Sequence, residues 1–387
     1  MPVIDVPQPE FMEDEEIAIF ADAVGKFYEK HAPEKRVLKW REDGMVEREF
    51  WNEAGAAGLL GASVPEEYGG HGGDFRHEMV VIDQQGRHNV EGFAASLHNT
   101  IILPYLVRHG TEEQKKKYLP RLVSGELVSA IAMTEPGVGS DLQSITTTAL
   151  KDGNGYKING AKTYISNGQT ADFIIVVAKT DPNERAKGIS LMLLETEGAE
   201  GFQRGKKLDK IGLDAQDTSE LFFDDVFVPS DAVLGGEEGK GFYQLMGELP
   251  QERLIIAMGA MSTIERALEE TVAFTKDRKA FGKTIWDFQN TQFTLAELKA
   301  RATAAKVFVN HCIAQHLEGK LDVPTACMAK LWVTELQGEV VDKCLQLHGG
   351  SGYINDYPIA RMFRDSRISR IFGGSNEIMK MVIARSM

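Results

Sequence analysis

The chain has 387 residues, of which 43% are hydrophobic and 26% are charged, a balance that is typical of globular proteins and excludes extended disorder. This length exceeds the usual size of one hydrophobic core, so two or three packed units are expected. The net charge of −14 at pH 7 opposes the broad cationic surface that nucleic-acid binding requires, so no nucleic-acid partner is predicted.

The N-terminal third has a helical pattern, because apolar residues recur three and four positions apart in segments such as EEIAIFADAVGKFYEKH. One stretch, GLLGASVPEEYGGHGGD, interrupts this pattern with a proline and several glycines and predicts a loop. The glycines do not make a phosphate loop, since no strand and helix flank them in the required order. We assign residues 1–126 to an N-terminal helical domain.

The middle of the chain changes to short runs rich in β-branched and aromatic residues, among them VSAIAMTEP, ADFIIVVAKT and SELFFDDVFVP, separated by turns such as DGNG. These runs predict an antiparallel β domain over residues 127–238. Strands confined to the middle of the chain do not follow the βαβ pattern of a Rossmann fold, which argues against a nicotinamide-dependent dehydrogenase.

The helical pattern returns for the last third, residues 239–387, and predicts a helical bundle. A long helix is expected to begin near Pro250, because proline suits the first turn of a helix. Further helices are predicted over residues 287–317, 325–347 and 376–385. The predicted fold class is therefore α+β: an N-terminal helical domain, a central antiparallel β domain and a C-terminal helical bundle.

Two motifs in the β domain could border a flat heterocycle. AMTEPGVGSD places Met133, Thr134 and Ser140 around a turn that follows a strand, where hydroxyls and free backbone N–H groups could bond a polar ring edge. KTYISNG puts Tyr164 two residues before Ser166, so both side chains are expected on one face of a strand. An ordinary turn and a cross-strand packing pair would explain the same residues without a ligand.

Two motifs in the helical bundle also allow an interpretation without a ligand when each is taken alone. DRKAFGK has Arg278 at the end of the long helix, where it could complement the helix dipole or bind a pyrophosphate. QLHGGSGY is typical of glycines that cap the C-terminus of a helix. The pair of histidines in HCIAQH lacks further ligands, so no metal site is predicted.

The order and spacing of six motifs carry more information than any one of them. AMTEPGVGSD, KTYISNG, LPQERLIIA, DRKAFGK, QLHGGSGY and IFGGSNEIM resemble the acyl-CoA dehydrogenase family over essentially the whole chain. ELPQERLIIA, DAQDTSELFF and FGGSNEIMK are most similar to its long-chain branch.

The resemblance implies an activity and an assembly. The activity is FAD-dependent α,β-dehydrogenation of an acyl-CoA to the trans-2-enoyl-CoA in fatty acid β-oxidation, on medium to long or branched acyl chains. An electron-transferring flavoprotein is implied as the electron acceptor, and a homotetramer made of two dimers as the assembly.

The resemblance also implies roles for individual residues. Those that would contact FAD within one subunit are Met133, Thr134, Ser140, Tyr164, Ser166, Ser375 and Asn376. Those that would reach the adenosine diphosphate half of a neighbour's FAD are Arg278, Phe281, Gln289, Gln346, Gly349 and Gly350. Ser140 and Arg253 are expected to contact the substrate.

The position of the catalytic base varies between branches of the family. Most relatives carry a glutamate at the loop position that Gly373 takes in IFGGSNEI, and Glu377, four residues later, would point about a turn away. In the isovaleryl-CoA and long-chain branches the base lies instead at the position of Glu252 and the loop residue is glycine. The resemblance therefore implies Glu252 as the base and the Gly373 N–H as a donor to the thioester oxygen.

Two alternatives stay open at this point. An acyl-CoA oxidase would use O₂ as the electron acceptor, but oxidases usually have an additional C-terminal helical domain for which this chain has no room. A non-catalytic flavin-binding relative that binds DNA is opposed by the net charge and by the presence of Glu252.

Cysteine usage and hydropathy predict the compartment. Cys312, Cys327 and Cys344 are an odd number without a close pair, which favours reduced thiols. No apolar run approaches the roughly 20 residues that cross a bilayer, and the N-terminal segment is acidic where a targeting peptide would be basic. We predict a cytoplasmic protein without a membrane segment.

Overall fold

The computed structural model describes residues 2–387, and its first unit is helical. The helices of this unit are α1 (Glu15–His31), α2 (Glu34–Asp43), α3 (Arg48–Ala56), α4 (Phe75–Arg87), α5 (Ala95–Leu97), α6 (Leu103–His109) and α7 (Glu112–Val123). A π-helical turn, His98–Ile102, joins α5 to α6. Thr111 and Gln114 form a capping box that fixes the start of α7. The core of the unit centres on the buried rings of Trp40 and Phe50.

The second unit is a seven-stranded sheet in which the strand order is β1-β4-β2-β3-β7-β6 and β5 pairs with β4. Its strands are β1 (Ser129–Ala132), β2 (Thr148–Asp152), β3 (Gly155–Ser166), β4 (Phe173–Lys179), β5 (Ile189–Glu195), β6 (Phe202–Lys207) and β7 (Thr218–Pro229). Most neighbours are antiparallel, as predicted, but β4 is parallel to β1, with Ser129 opposite Phe173, and to β2, with Thr148 opposite Lys179. No hairpin links β1 to β4, so the connection does not impose an antiparallel direction.

The third unit is a helical bundle that begins with a helix of 37 residues. Its elements are α8 (Gly241–Asp277), the hairpin strands β8 (Lys279–Ala280) and β9 (Lys283–Thr284), α9 (Gln289–Leu317), α10 (Val323–His348), α11 (Pro358–Ser366) and α12 (Asn376–Arg385). Apolar residues of α8, α9 and α10 form one core cluster.

The predicted start of the long helix at Pro250 is wrong, because α8 begins at Gly241 and contains Pro250 in its interior. A proline inside a helix removes one backbone hydrogen bond, and burial of the helix faces offsets that loss. Leu245 and Glu248, on the N-terminal side of the proline, are both buried. Glu252 therefore lies in the middle of a helix and not in a first turn.

The predicted three-part α+β class is confirmed. The proposed boundaries between residues 126 and 127 and between 238 and 239 stay predictions. Among residues 2–387, no helix is both long and apolar enough to cross a membrane.

A buried cation joins the three units. The Arg41 side chain of α2 is only 7% exposed, and it pairs with Glu91, with Asp214 at 2.7 Å and with Asp365 at 2.9 Å. Asp214 belongs to the loop between β6 and β7, and Asp365 to α11. One guanidinium thus holds a carboxylate from each unit.

Arg41→Ala is expected to lower the free energy of unfolding by about 3 kcal/mol, because the buried Asp365 loses its cation while Glu91 keeps Arg361 and Asp214 keeps Arg364. Urea unfolding monitored by circular dichroism would measure the change. Lys39→Ala is the control, since Lys39 lies on the same helix in an exposed pair with Asp43 and should change stability little. Equal losses in the two variants would contradict the role of Arg41.

Candidate active site

A cavity of about 490 Å³ lies where the three units meet. The helical unit contributes α4 and the segment up to Ile101, and the sheet contributes the ends of β1 and β3. The bundle contributes α8 from Glu252 to Arg266 and the chain from Met362 to Gly373. Six of the residues predicted for the site line this cavity together, namely Met133, Thr134, Tyr164, Ser166, Glu252 and Gly373.

A buried ion pair holds the turn after β1. Lys162 is fully buried, and its Nζ donates to the Met133 carbonyl and to Glu135 Oε1, both at 2.9 Å. The Glu135 carboxylate also accepts backbone N–H bonds from Thr146 and Thr147. This ion pair does not itself line the cavity, and it holds the backbone that carries Met133 and Thr134.

Tyr164 reaches the cavity through an irregularity in β3. The pairing with β7 shifts register between Lys162 and Ile165, and Tyr164 has a φ of 61° in the left-handed region. Simple alternation along the strand, on which the prediction for Tyr164 and Ser166 rested, is thus broken, although both residues line the cavity. Tyr164 is 69% exposed.

These residues fit a flavin ring. Tyr164 and Met133 offer flat and polarisable apolar contacts, which suit an aromatic heterocycle. The hydroxyls of Thr134 and Ser166 make no hydrogen bond to any residue that the structure describes, so they are free to bond the polar edge of the ring.

Glu252 is a buried carboxylate, 6% exposed, on the cavity wall. The Tyr105 hydroxyl of α6 donates to its Oε1 at 2.9 Å. Burial raises the pKa of Glu252 to about 7, the Tyr105 hydrogen bond opposes this rise, and the nearby Glu248 carboxylate adds to it. The group can therefore accept and return a proton near neutral pH.

The segment before α6 is fastened to α8 beside Glu252. Pro104 has no N–H to donate to the Thr100 carbonyl four residues earlier, and the Gln251 side chain donates to that carbonyl instead, at 2.7 Å. Thr100 belongs to the π-helical turn over residues 98–102, and such turns are often found at functional sites.

Gly373 lies close to α8, and a side chain at this position would require the Ile256 side chain to move. The φ of Gly373 is 61°, and a Cβ atom there would lie 2.2 Å from Ile256 Cδ1. Within the described part of the chain, the Gly373 N–H has no acceptor. Lys330 holds the loop from behind, since its Nζ donates to the Gly374 carbonyl at 2.9 Å and to Asn376 Oδ1 at 2.8 Å.

The other predicted residues do not line the cavity. The exposed ones are Ser140, Arg278, Phe281, Gln289, Gln346, Gly349 and Gly350. Ser375 precedes α12 as its cap residue, and Asn376 is buried and bonds to Lys330, Thr334 and Glu335. Arg253 is also buried, with its Nη1 3.2 Å from Cys327 Sγ. The ligand contacts predicted for these residues stay predictions.

Sequence reasoning missed three residues that shape the site, Tyr105, Ile256 and Lys330. Lys330 had a detectable signal, since it is a cation within the apolar face of a predicted helix. Tyr105 and Ile256 had none, because each acts through a residue that is distant in sequence, Glu252 and Gly373 respectively.

Comparisons with known proteins cover all three units. Three family models match: "Acyl-CoA dehydrogenase, N-terminal domain" over residues 14–126, "middle domain" over 130–226 and "C-terminal domain" over 239–387. The long-chain specific acyl-CoA dehydrogenase of Sus scrofa mitochondria is 48% identical over 371 residues, which are 95% of this chain and 86% of the relative.

Two solved structures extend the comparison. An acyl-CoA dehydrogenase from Geobacillus kaustophilus has a TM-score of 0.94 and 46% identity, and the match covers 96% of this chain and 98% of that one. A glutaryl-CoA dehydrogenase from Mycobacterium smegmatis in complex with FADH2 has a TM-score of 0.90 and 26% identity, with 100% and 97% covered.

Proposed function

The chain belongs to the acyl-CoA dehydrogenase family, and we propose that it is an FAD-dependent enzyme that oxidises an acyl-CoA thioester to the trans-2-enoyl-CoA. The observation that carries this proposal is Glu252, a buried carboxylate with a pKa of about 7 on the wall of a cavity that all three units form. The long-chain relative in Sus scrofa supports the same activity.

FAD is the proposed cofactor, and when bound it would accept the hydride from Cβ of the substrate. Tyr164 and Met133 would pack against its ring, and the hydroxyls of Thr134 and Ser166 would bond the polar edge. The similar glutaryl-CoA dehydrogenase in complex with FADH2 supports this choice.

Glu252 is the proposed base for the Cα proton. That proton is weakly acidic, so its removal needs a base with a pKa near the working pH and donors at the oxygen where enolate charge develops. The free Gly373 N–H can donate to the thioester oxygen. Because Gly373 brings no carboxylate of its own, no second negative charge competes at Cα.

Medium to long acyl chains are the proposed substrates. The cavity follows α8 from Glu252 to Arg266, a distance of about 21 Å at 1.5 Å per helical residue. Gly259 lines its course, and a Cβ at Gly259 would meet no atom within 4 Å. The length of this channel favours an extended acyl tail over a short branched one.

The exposed predicted residues fit an assembly in which subunits share FAD sites. Phe281 is 95% exposed on the hairpin of β8 and β9, close in sequence to the exposed Arg278 and Gln289. We therefore include in the proposal a homotetramer in which these residues contact a neighbour's FAD.

An electron-transferring flavoprotein is the proposed electron acceptor, on the basis of the family resemblance. A cytoplasmic location is proposed on the basis of the three free cysteines.

Glu252→Gln is expected to retain FAD and to bleach it at least about 100-fold more slowly on anaerobic mixing with acyl-CoA, because the general base is lost. Stopped-flow absorbance of the flavin measures the rate. Glu377→Gln, which alters the exposed carboxylate nearest the Gly373 loop in sequence, should keep the wild-type rate. Wild-type bleaching by Glu252→Gln would refute the assignment.

The pH dependence follows from the raised pKa of Glu252. Below about pH 7 the carboxyl is protonated and cannot accept the Cα proton, so kcat/KM should rise with pH through about 7 and then level off. A glutamate with an ordinary pKa would give a profile that is already level at pH 6, and that result would contradict the assigned environment.

Gly259→Leu is expected to lower kcat/KM for long acyl-CoAs more than for short ones, because the new side chain fills the channel. A Cβ at Gly259 would meet no atom within 4 Å, so the backbone tolerates the change. Gly247→Leu is the matched control, a glycine of the same helix with equally open surroundings and outside the cavity. Identical chain-length profiles in both variants would refute the channel.

A further inference from the structure

One face of α6 meets α8 directly behind the cavity wall. Two carboxylates lie one helical turn apart on α8, Glu248 and Glu252, and both are buried. Three polar side chains of α6 face them, namely Tyr105, Arg108 and His109. These two neighbouring acids have different partners.

Two basic side chains of α6 contact Glu248. Arg108 pairs with one oxygen of Glu248, and His109 Nε2 lies 3.1 Å from the other. Arg108 also donates to Gln251 Oε1 at 2.7 Å. Both carboxylate oxygens of Glu248 are therefore engaged by side chains of α6.

Glu252 receives one neutral partner, Tyr105. The Tyr105 ring is fully buried and does not line the cavity, so its hydroxyl contacts the base from behind. Arg253, the next residue on α8, bonds to Cys327 and lies near Lys330. Its charge lowers the pKa of Glu252, but by less than burial raises it. Among the described residues, none donates a hydrogen bond to Glu252 Oε2.

We propose that Tyr105 is a positioning residue for the base: its hydroxyl fixes Oε1 of Glu252 and leaves Oε2 available to the substrate Cα. This inference rests on the proposed function. A glutamate side chain has several rotatable bonds, so one fixed oxygen removes much of the freedom that would weaken proton transfer. Rotation of Glu252 away from Tyr105 would also leave a buried hydroxyl without an acceptor, which is costly.

Tyr105 acts as a hydrogen-bond donor and keeps its own proton. Burial and the adjacent Glu252 carboxylate raise the pKa of Tyr105 well above its usual value. The proton from Cα therefore stays on Glu252. The donated bond stabilises the ionised carboxylate and limits the rise in pKa that burial imposes.

Tyr105→Phe removes only this hydroxyl, and Tyr28→Phe is the matched control. Tyr28 is also fully buried, and its hydroxyl has no hydrogen-bond partner in the described part of the chain, so its removal should not affect Glu252. The infrared carboxyl band of Glu252, identified by its loss in Glu252→Gln, reports protonation without turnover. Titration of this band in the FAD-loaded protein is the first measurement, and the pH profile of kcat/KM is the second.

Tyr105→Phe is expected to shift both the band and the acid limb of kcat/KM to higher pH by about 0.5 to 1 unit, the equivalent of one lost hydrogen bond. Its plateau rate should also fall, since the carboxylate loses its fixed orientation. Tyr28→Phe should match the wild type in each measurement. A Glu252 band that titrates alike in Tyr105→Phe and the wild type would overturn the proposal.

A second variant tests the same contact without removing it. A difluorotyrosine placed at position 105 is a stronger donor, so it should shift the titration of the Glu252 band to lower pH. An unchanged or raised midpoint pH would count against the contact.

If the wild type fails to bleach with any acyl-CoA, the proposed function fails. The infrared titration still decides whether Tyr105 changes the pKa of Glu252.

Discussion

The chemistry of the site depends on the burial of one carboxylate, Glu252, whose hydrogen-bond partner is not a cation. Glu252 lies on the wall of a cavity to which all three units contribute, and its hydrogen-bond partner is a neutral hydroxyl. A buried acid in such a place favours its neutral form, which gives it a proton affinity suited to carbon-acid chemistry. The cost of burying it is compatible with folding because the surrounding walls are held by other, paired charges.

Three buried cations supply that support. Lys162 holds the turn that presents Met133 and Thr134, and Lys330 holds the loop that contains Gly373. Arg41 draws carboxylates of all three units together. Each cation bonds to backbone carbonyls or to acids of the walls, and none of the three bonds to Glu252. Preorganisation of this kind is what stabilisation of a developing enolate requires.

Much of the architecture was predictable because it depends on local patterns. The change from helical to strand periodicity located the sheet, and the motifs around Met133, Tyr164 and Gly373 located three walls of the cavity. What could not be predicted depends on packing between distant segments. Pro250 suggested a helix start, yet burial on both sides of it continues α8 through the proline. The contact between Tyr105 and Glu252 spans 147 positions and has no signature in either segment.

The central claim is that Glu252 removes the Cα proton, and a 3-thia-acyl-CoA isolates this step. Sulfur replaces Cβ in this ligand, so it can lose the Cα proton but has no hydride to transfer. Mixed anaerobically with the FAD-loaded wild type, it should produce the long-wavelength charge-transfer absorbance of an enolate beside oxidised flavin. Glu252→Gln should bind the ligand without that absorbance. Development of the band at wild-type amplitude in Glu252→Gln would contradict the account.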